Sequence, residues 1–349
     1  TEECLELVRQ MAELGIKEVT LIGGEAYLRP DWLTIVAAVK RHGMECSMTT
    51  GGRGITRERA EQAALAGLMN AAVSLDGLEA THDRQRALDG SFRAGVRALG
   101  HLRQAGIPVS VNTQVNSWSW RELPELLEVL IEQHAHSWQL QLTVPMGRAA
   151  DRPEILLQPY ELLEVFSLIA SLQPRAEAAG VRIFPGNNIG YFGPYEKLLR
   201  QRMPGQHTAS CGAGRTVLGL EANGTIKGCP SLPTAEWAGG NLRENSLKDV
   251  WERSTSLRYT RDRTPQDLWG YCRECYYAAE CMSGCTWLAH ALFGKPGNNP
   301  YCHHRALEMQ RAGLRERVVL RERAPGSAFD HGVFELISEP LDTADNASA

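Results

Sequence analysis

The sequence carries no large excess of charge. Its 37 lysines and arginines stand against 41 aspartates and glutamates, a net charge of −4. With a pI near 6.2 it makes no case for nucleic acid as a partner. No uninterrupted apolar run approaches the ~20 residues of a membrane-spanning helix, so no membrane is expected as a partner either. No signal-peptide pattern opens the chain, and residue 1 is Thr rather than Met. No internal repeat is visible. What remains is an ordinary globular composition, 43% hydrophobic and 22% charged over 349 residues, with length for about two or three domains.

Cysteine is missing from most of the chain, with none between Cys46 and Cys211, and then abundant. Seven of the nine are Cys211, Cys229, Cys272-Arg-Glu-Cys275, Cys281, Cys285 and Cys302. Several soft thiolates converging on one place favour zinc, Cu(I) or iron–sulfur clusters, and short Cys-x2-Cys loops let one backbone aim several sulfurs at one centre. Disulfides would need an oxidising compartment, and without a secretory signal the expectation is cytoplasmic, reduced thiols. Buried structural cysteines are rarely this dense. Spacing leaves iron–sulfur and zinc both open.

Residues 1–150 alternate helix and strand. Apolar periodicity predicts helices over Glu2–Leu14, Trp32–Arg41, Thr56–Ala66, Phe92–Gln104 and Leu123–Gln133. Strands are predicted over Glu18–Ile22, Met44–Thr49, Asn70–Leu75, Pro108–Val115 and Trp138–Val144, each nearly continuous in apolar residues, as in a parallel sheet covered by helices. Polar residues follow the strands: Glu25, Thr49, Asp76, Asn112 and Arg148. In parallel α/β folds chemistry gathers at that carboxyl edge. Taken singly, each reads equally as a turn or cap residue.

The order Cys211, twelve residues, Gly224, four residues, Cys229, Cys-x2-Cys-x5-Cys-x3-Cys and a lone Cys302 resembles the SPASM domain appended to radical S-adenosylmethionine (SAM) enzymes. A strand ending Gly23-Gly24-Glu25, another ending Ser74-Leu75-Asp76-Gly77, then His82-Asp83, Arg86 and Gly90-Ser91-Phe92, resembles the radical SAM (βα)6 barrel. The resemblance implies an α/β fold: a partial (βα)6 radical SAM barrel, its first strand and cluster loop absent, followed by a small cysteine-rich SPASM domain. The implied domains are 1–150 for the partial barrel, 151–205 for a linker helix and loop, 206–310 for the iron–sulfur domain, and 311–349 for a C-terminal helix and tail. The family's cluster-binding Cys-x3-Cys-x2-Cys is not among these residues; Cys4 has no partners at that spacing, and Cys46 reads as a core residue of its strand. Without that motif the 349 residues alone are expected not to cleave SAM, and a Thr start favours its omission from this chain.

Cofactors implied by the resemblance are SAM and [4Fe–4S] clusters: two auxiliary, and a third at the N-terminal motif of a complete enzyme. Gly23, Gly24 and Glu25 would hold the SAM amino group. Ser74 and Asp76 would lie near its ribose and carboxylate, and Arg86, on the following loop, would pair with the carboxylate. Where the family usually has proline after Gly-Gly-Glu, this chain has Ala26. Cys272, Cys275, Cys281 and Cys302 would fill an outer cluster. Cys211, Cys229 and Cys285 would share an inner one, its fourth iron either open or taken by a nearby side chain, of which His207 is closest in sequence.

In such an enzyme a 5′-deoxyadenosyl radical abstracts hydrogen from substrate, an oxidoreductase reaction supplied with electrons by ferredoxin or flavodoxin. The resemblance runs most closely to maturases of ribosomally made peptides, which install a crosslink, thioether or epimer in a precursor peptide. Pro230 after the second SPASM cysteine speaks against the sulfatase-maturase branch, which tends to have Asp there. A non-catalytic peptide-binding or electron-relay module and a small-molecule, haem-type biosynthetic enzyme are the rival readings.

Between the two regions, Pro159–Ala179 is an amphipathic helix with Pro174 as a possible interruption. The stretches Pro185–Tyr195 and Phe293–Tyr301, rich in Gly, Asn, Pro and aromatics, are shaped loops suited either to lining a peptide or to packing on themselves. His303 and His304 are expected as hydrogen-bonding or surface groups. A charged helix is expected from Leu307 to Glu322; Ala324–Ala349 then holds one short apolar stretch, Val333–Ile337, and ends in an acidic, small-residue tail expected to be disordered.

Overall fold

The computed structural model describes residues 1–189, 192–208, 210–327 and 329–341. The chain divides into two compact units. One comprises Thr1–Leu140, Leu172–Phe184 and Ser246–Lys248; the other comprises Gln141–Ser171, Pro185–Asn245 and Asp249–Ala349.

The first unit is built on a six-stranded sheet whose strands follow one another in chain order. They are β1 (Glu18–Leu21), β2 (Glu45–Thr50), β3 (Asn70–Ser74), β4 (Val109–Val115), β5 (Ser137–Leu142) and β6 (Arg182–Pro185). The pairs β1–β2, β2–β3 and β3–β4 are parallel, with Leu21 opposite Met48, Thr50 opposite Val73 and Ser74 opposite Asn112. Helices α1 (Glu2–Glu13), α2 (Trp32–Arg41), α3 (Arg57–Ala66), α4 (Glu79–Arg86), α5 (Ser91–Gln104), α6 (Leu123–Glu132) and α7 (Leu162–Ala178) connect them.

Local chemistry explains the helix bounds. Thr56 caps α3 by accepting from the Arg59 N–H, and Gly67, at φ +101°, ends it in the left-handed region. Along α5, Ala94, Gly95, Ala98, Leu99 and Leu102 form the buried face. A Cβ on Gly95 would stand 2.8 Å from Leu75 Cδ2, so only glycine lets α5 lie this close to β3.

The strands differ from the sequence expectation in one respect. They alternate rather than being apolar throughout. Along β4, Val109, Val111, Thr113 and Val115 are buried, while Ser110, Asn112 and Gln114 are half-buried on the other face. That face is hydrogen-bonded across strands: the Ser47 hydroxyl donates to Glu18 at 2.8 Å, and the Ser110 hydroxyl donates to Asn70 at 3.2 Å. A sheet with one polar face offers that face to a polar occupant.

Three expectations are corrected. Arg182–Pro185, assigned from sequence to the linker, is the sixth strand; at four residues, with only Ile183 fully buried, it carries too little pattern to read. Helix α7 runs on through Pro174. The charged helix expected to reach Glu322 stops at Arg311. Gly313, at φ +72°, turns the chain, and β10 (Leu314–Glu322) pairs antiparallel with β11 (Val333–Pro340). The alternating arginines and glutamates there satisfy a strand better than a helix. Arg315 and Arg317 both reach Glu339 across the pair, at 2.8 and 2.9 Å, and Val318 and Phe334 turn inward. The apolar stretch Val333–Ile337 lies in this strand, and residues 328 and 342–349 lie outside the described residues.

The second unit also holds a small antiparallel sheet of β7 (Gly219–Leu220), β8 (Thr225–Lys227) and β9 (Ala238–Asn241). One helical stretch, Pro153–Ala178, is long and apolar enough to cross a membrane by length and composition, although no such run stood out in the sequence. More than half of its apolar window is buried within the protein, as in a core helix.

Candidate functional site

In the first unit the expected SAM residues gather at the carboxyl edge of β1, β2 and β3. Gly23, at φ +111°, turns the chain after β1. A Cβ on Gly23 or Gly24 would meet no atom within 4 Å, so the turn opens onto free space. The Glu25 carboxylate is fixed from the neighbouring strand end: the Gly51 N–H donates to Oε1 at 2.9 Å and the Thr50 hydroxyl to Oε2 at 2.5 Å. The Tyr27 hydroxyl accepts from the Gly54 N–H at 3.0 Å and holds the same loop. An anchored carboxylate beside an open, glycine-lined edge suits an ammonium group, and the residues present fit SAM on that ground.

Ser74 ends β3 in register with Asn112. Asp76 is only 1% exposed. Its Oδ1 accepts from the Gln114 N–H at 3.0 Å, and its Oδ2 accepts from Arg86 Nε at 2.7 Å. The Asp76 N–H donates to His82 Nδ1 at 2.9 Å. His82 therefore carries its proton on Nε2, and burial pushes its pKa below the usual value. Arg86 was expected on a loop and free for the SAM carboxylate. It lies instead at the end of helix α4 and is paired with Asp76. Helix α4 was not legible because His82 is its one buried residue, which leaves no apolar stripe.

In the second unit the seven cysteines form two groups, and none of them is in a disulfide. Cys272, Cys275, Cys281 and Cys302 line one pocket of about 360 Å³, walled by Phe192, Tyr271, Tyr277 and His304. Cys211, Cys229 and Cys285 lie close together: Cys211 helps raise the pKa of Cys229, and both help raise that of Cys285. Burial comes first among the causes that push up Cys229, Cys272, Cys275, Cys281, Cys285 and Cys302, the last to about 12. Buried thiols this hard to ionise become thiolates when a metal takes them.

The surroundings supply the donors that cluster sulfurs accept. The Asn299 N–H points at Cys272 Sγ and the Tyr277 N–H at Cys275 Sγ, each at 3.4 Å. Cys285 caps the helix Thr286–Phe293, and the Leu288 and Trp287 N–H groups face its sulfur. These features fit an iron–sulfur ligand set. The two cysteines of the first unit do not: Cys46 is buried in β2, its thiol pushed up to about 12 by burial, and Cys4 lies on α1. Among the described residues of the first unit, which hold only these two cysteines, there is no three-thiol set.

Several residues were placed only loosely by sequence. His207 hydrogen-bonds Thr208 O at 2.7 Å and stacks on Phe192, which lines the pocket of the four thiols. Its ring thus packs against a residue that walls the outer group's pocket. Asn188 pairs its amide with both backbone groups of Leu142 and continues the edge of β5, a packing role. Phe192 stacks on Tyr277 at 4.1 Å; Gly190 and Tyr191 of that loop lie outside the described residues. His303 is buried and stacks on Phe166, and burial lowers its pKa to about 4. Sequence reading missed Lys227. Fully buried two residues before Cys229, its ammonium reaches Glu221 and donates to Leu232 O, both at 2.6 Å, which anchors the loop carrying that cysteine.

The comparisons agree with this division. The radical SAM superfamily profile matches residues 1–130, and the SPASM iron–sulfur cluster-binding domain profile matches residues 211–276. Among curated proteins, an AdoMet-dependent heme synthase of Nitratidesulfovibrio vulgaris is 26% identical over 331 residues, 88% of this chain and 85% of that protein. The mycofactocin maturase MftC of Mycobacterium tuberculosis is 26% identical over 356 residues, 98% of this chain and 83% of that protein. Among solved structures, native anSMEcpe with bound AdoMet and Cp18Cys peptide has a TM-score of 0.66 at 16% identity, covering 88% of this chain and 86% of that one. The chain carries a radical SAM domain and a SPASM iron–sulfur cluster-binding domain, with SAM and [4Fe–4S] clusters as its cofactors.

Proposed function

We propose that this protein is a maturase of a ribosomally made precursor peptide and forms a crosslink, thioether or epimer at one of its residues. Bound SAM supplies the chemistry of hydrogen abstraction. The chain's own residues do the rest. Gly23, Gly24 and the anchored Glu25 would take the SAM ammonium. Ser74 would lie near the ribose. Arg86, held by Asp76, would present its remaining surface to the SAM carboxylate. Cys272, Cys275, Cys281 and Cys302 would hold a fully ligated outer cluster.

The observation that carries the reading is the unequal split of the thiols. Cys211, Cys229 and Cys285 offer three sulfurs to a four-iron cluster, and the His207 ring stacks on Phe192. An iron with no protein ligand would accept a peptide thiolate, since a metal lowers a thiol's pKa. Aromatic side chains around the four-thiol pocket, with Tyr276 88% exposed beside them, suit a peptide surface. The maturase relative and the peptide-bound neighbour support the same class. The protein would act in the cytoplasm, where thiols stay reduced, and take electrons from ferredoxin or flavodoxin.

The heme synthase relative, equally identical, favours a second reading in which the substrate is a tetrapyrrole. Titrating cluster-loaded protein with a short cysteine-containing peptide, and separately with a tetrapyrrole, decides between them. The maturase reading expects the peptide to bind at micromolar concentration and to change the EPR spectrum of the inner cluster through a cysteine. Tetrapyrrole binding with an unchanged peptide spectrum would overturn it.

A further inference from the structure

Outside the seven cysteines, one cluster of side chains among the described residues has the geometry of a metal site. Glu236, on the short helix Thr234–Trp237, His290, on the helix Thr286–Phe293, and His331, just before β11, each bring one ligand atom within 4.8 Å of the other two. All three belong to the second unit.

His290 is only 1% exposed, yet neither ring nitrogen has a hydrogen-bond partner. Burying an imidazole with both nitrogens unpaired costs about 1–3 kcal/mol or more. Glu236 Oε2 lies 3.2 Å from His290 Nε2 without the alignment of a hydrogen bond. Two ligand atoms about 2.1 Å from one tetrahedral ion stand roughly 3.3 Å apart, so this edge matches a shared ion as well as it fails a direct bond. The two imidazole centres are 5.2 Å apart, with ring planes at 74°. Rings bound through one nitrogen each to a tetrahedral ion have centres about 5 Å apart.

The second nitrogen of His331 adds an independent sign. Its Nδ1 lies 3.0 Å from Gly332 O. A proton on Nδ1 leaves the Nε2 lone pair free to ligate, which is how backbone carbonyls orient metal-binding histidines. Trp237 packs edge-on against His290 and shields the inner side, while Glu236 stays largely open to solvent.

We propose that Glu236, His290 and His331 bind one divalent transition-metal ion of the zinc class, with a fourth coordination position facing solvent. Two imidazoles and a carboxylate are borderline ligands, unlike the soft all-sulfur sets nearby, so the site discriminates against iron–sulfur assembly. It joins three segments far apart in sequence and fastens the approach to β11 onto the helix that begins at Cys285. The inference rests on this geometry and holds whatever the enzyme's substrate.

The test uses cluster-loaded protein, so that the cysteines are occupied. It is equilibrated with buffered zinc and assayed for zinc, iron and sulfide, and the zinc is examined by K-edge X-ray absorption. The expected result is stoichiometric zinc with nitrogen and oxygen neighbours only. His331→Ala is expected to weaken zinc binding at least about 100-fold with iron and sulfide unchanged. Should His331→Ala lose iron through misfolding, Glu236→Gln, at an exposed position, becomes the deciding variant, with weaker zinc binding expected. No zinc uptake at micromolar free zinc, sulfur in the zinc shell, or equal zinc affinity in wild type and the deciding variant would each overturn the proposal.

Discussion

Asp76 is the most constrained residue of the SAM edge, because three groups act on its carboxyl and amide. Arg86 neutralises it, Gln114 donates to it, and His82 receives its N–H. Replacing Arg86 by Met leaves a buried carboxylate without its cation. The cost is expected at about 3 kcal/mol, the low end for a broken buried pair because Arg86 is partly exposed. Arg86→Lys should recover only part of it, since a point charge cannot reproduce the guanidinium geometry. Urea unfolding of the three proteins checks both figures.

His82 gives the same edge a pH dependence. Burial lowers its folded pKa below the ordinary 6.5. On acidification the unfolded chain therefore takes up the proton first. The loss of stability begins as pH falls through about 6.5 and is complete once pH passes below the folded pKa; above neutrality the residue contributes nothing. In His82→Asn the amide oxygen can still accept the Asp76 N–H. Thermal melts between about pH 7 and pH 5 should show a shallower fall in Tm for His82→Asn than for wild type.

At the scale of elements, close approach matters more than propensity. Gly52 has φ +82°, and a Cβ there would lie 2.9 Å from Ala98 Cβ and 3.0 Å from Gly95 Cα. Gly52→Ala must push α5 away from the end of β2 and also adopt a left-handed backbone. The expected loss is about 2–3 kcal/mol, measurable by denaturant unfolding. The elements of the first 150 residues were legible because their helices carry apolar stripes and their strands end in glycine or polar turns. Where those signals fail, so did reading by sequence. Helix α4 buries one histidine, and β6 is four residues long. The run Leu-Arg-Glu-Arg-Val-Val-Leu in β10 suits either state until Glu335 and Glu339 are seen across from its arginines.

At the scale of the molecule, the cysteine pattern was the most legible feature, because its order resembles that of the SPASM domain, which implies how the sulfurs divide. The rest of the candidate chemistry was not, since Lys227 with Glu221, and Glu236 with His290 and His331, meet only after folding. The two thiol groups underlie the account's central claim, that one chain holds two separate auxiliary clusters. The direct measurement is iron and sulfide content after anaerobic reconstitution of wild type, Cys302→Ala, Cys285→Ala and the double variant. Two [4Fe–4S] clusters predict roughly 8 irons per chain in wild type, roughly 4 in each single variant with distinct EPR signals, and almost none in the double variant. Zinc in place of iron with no visible absorbance, or either single substitution emptying both sites, would contradict it.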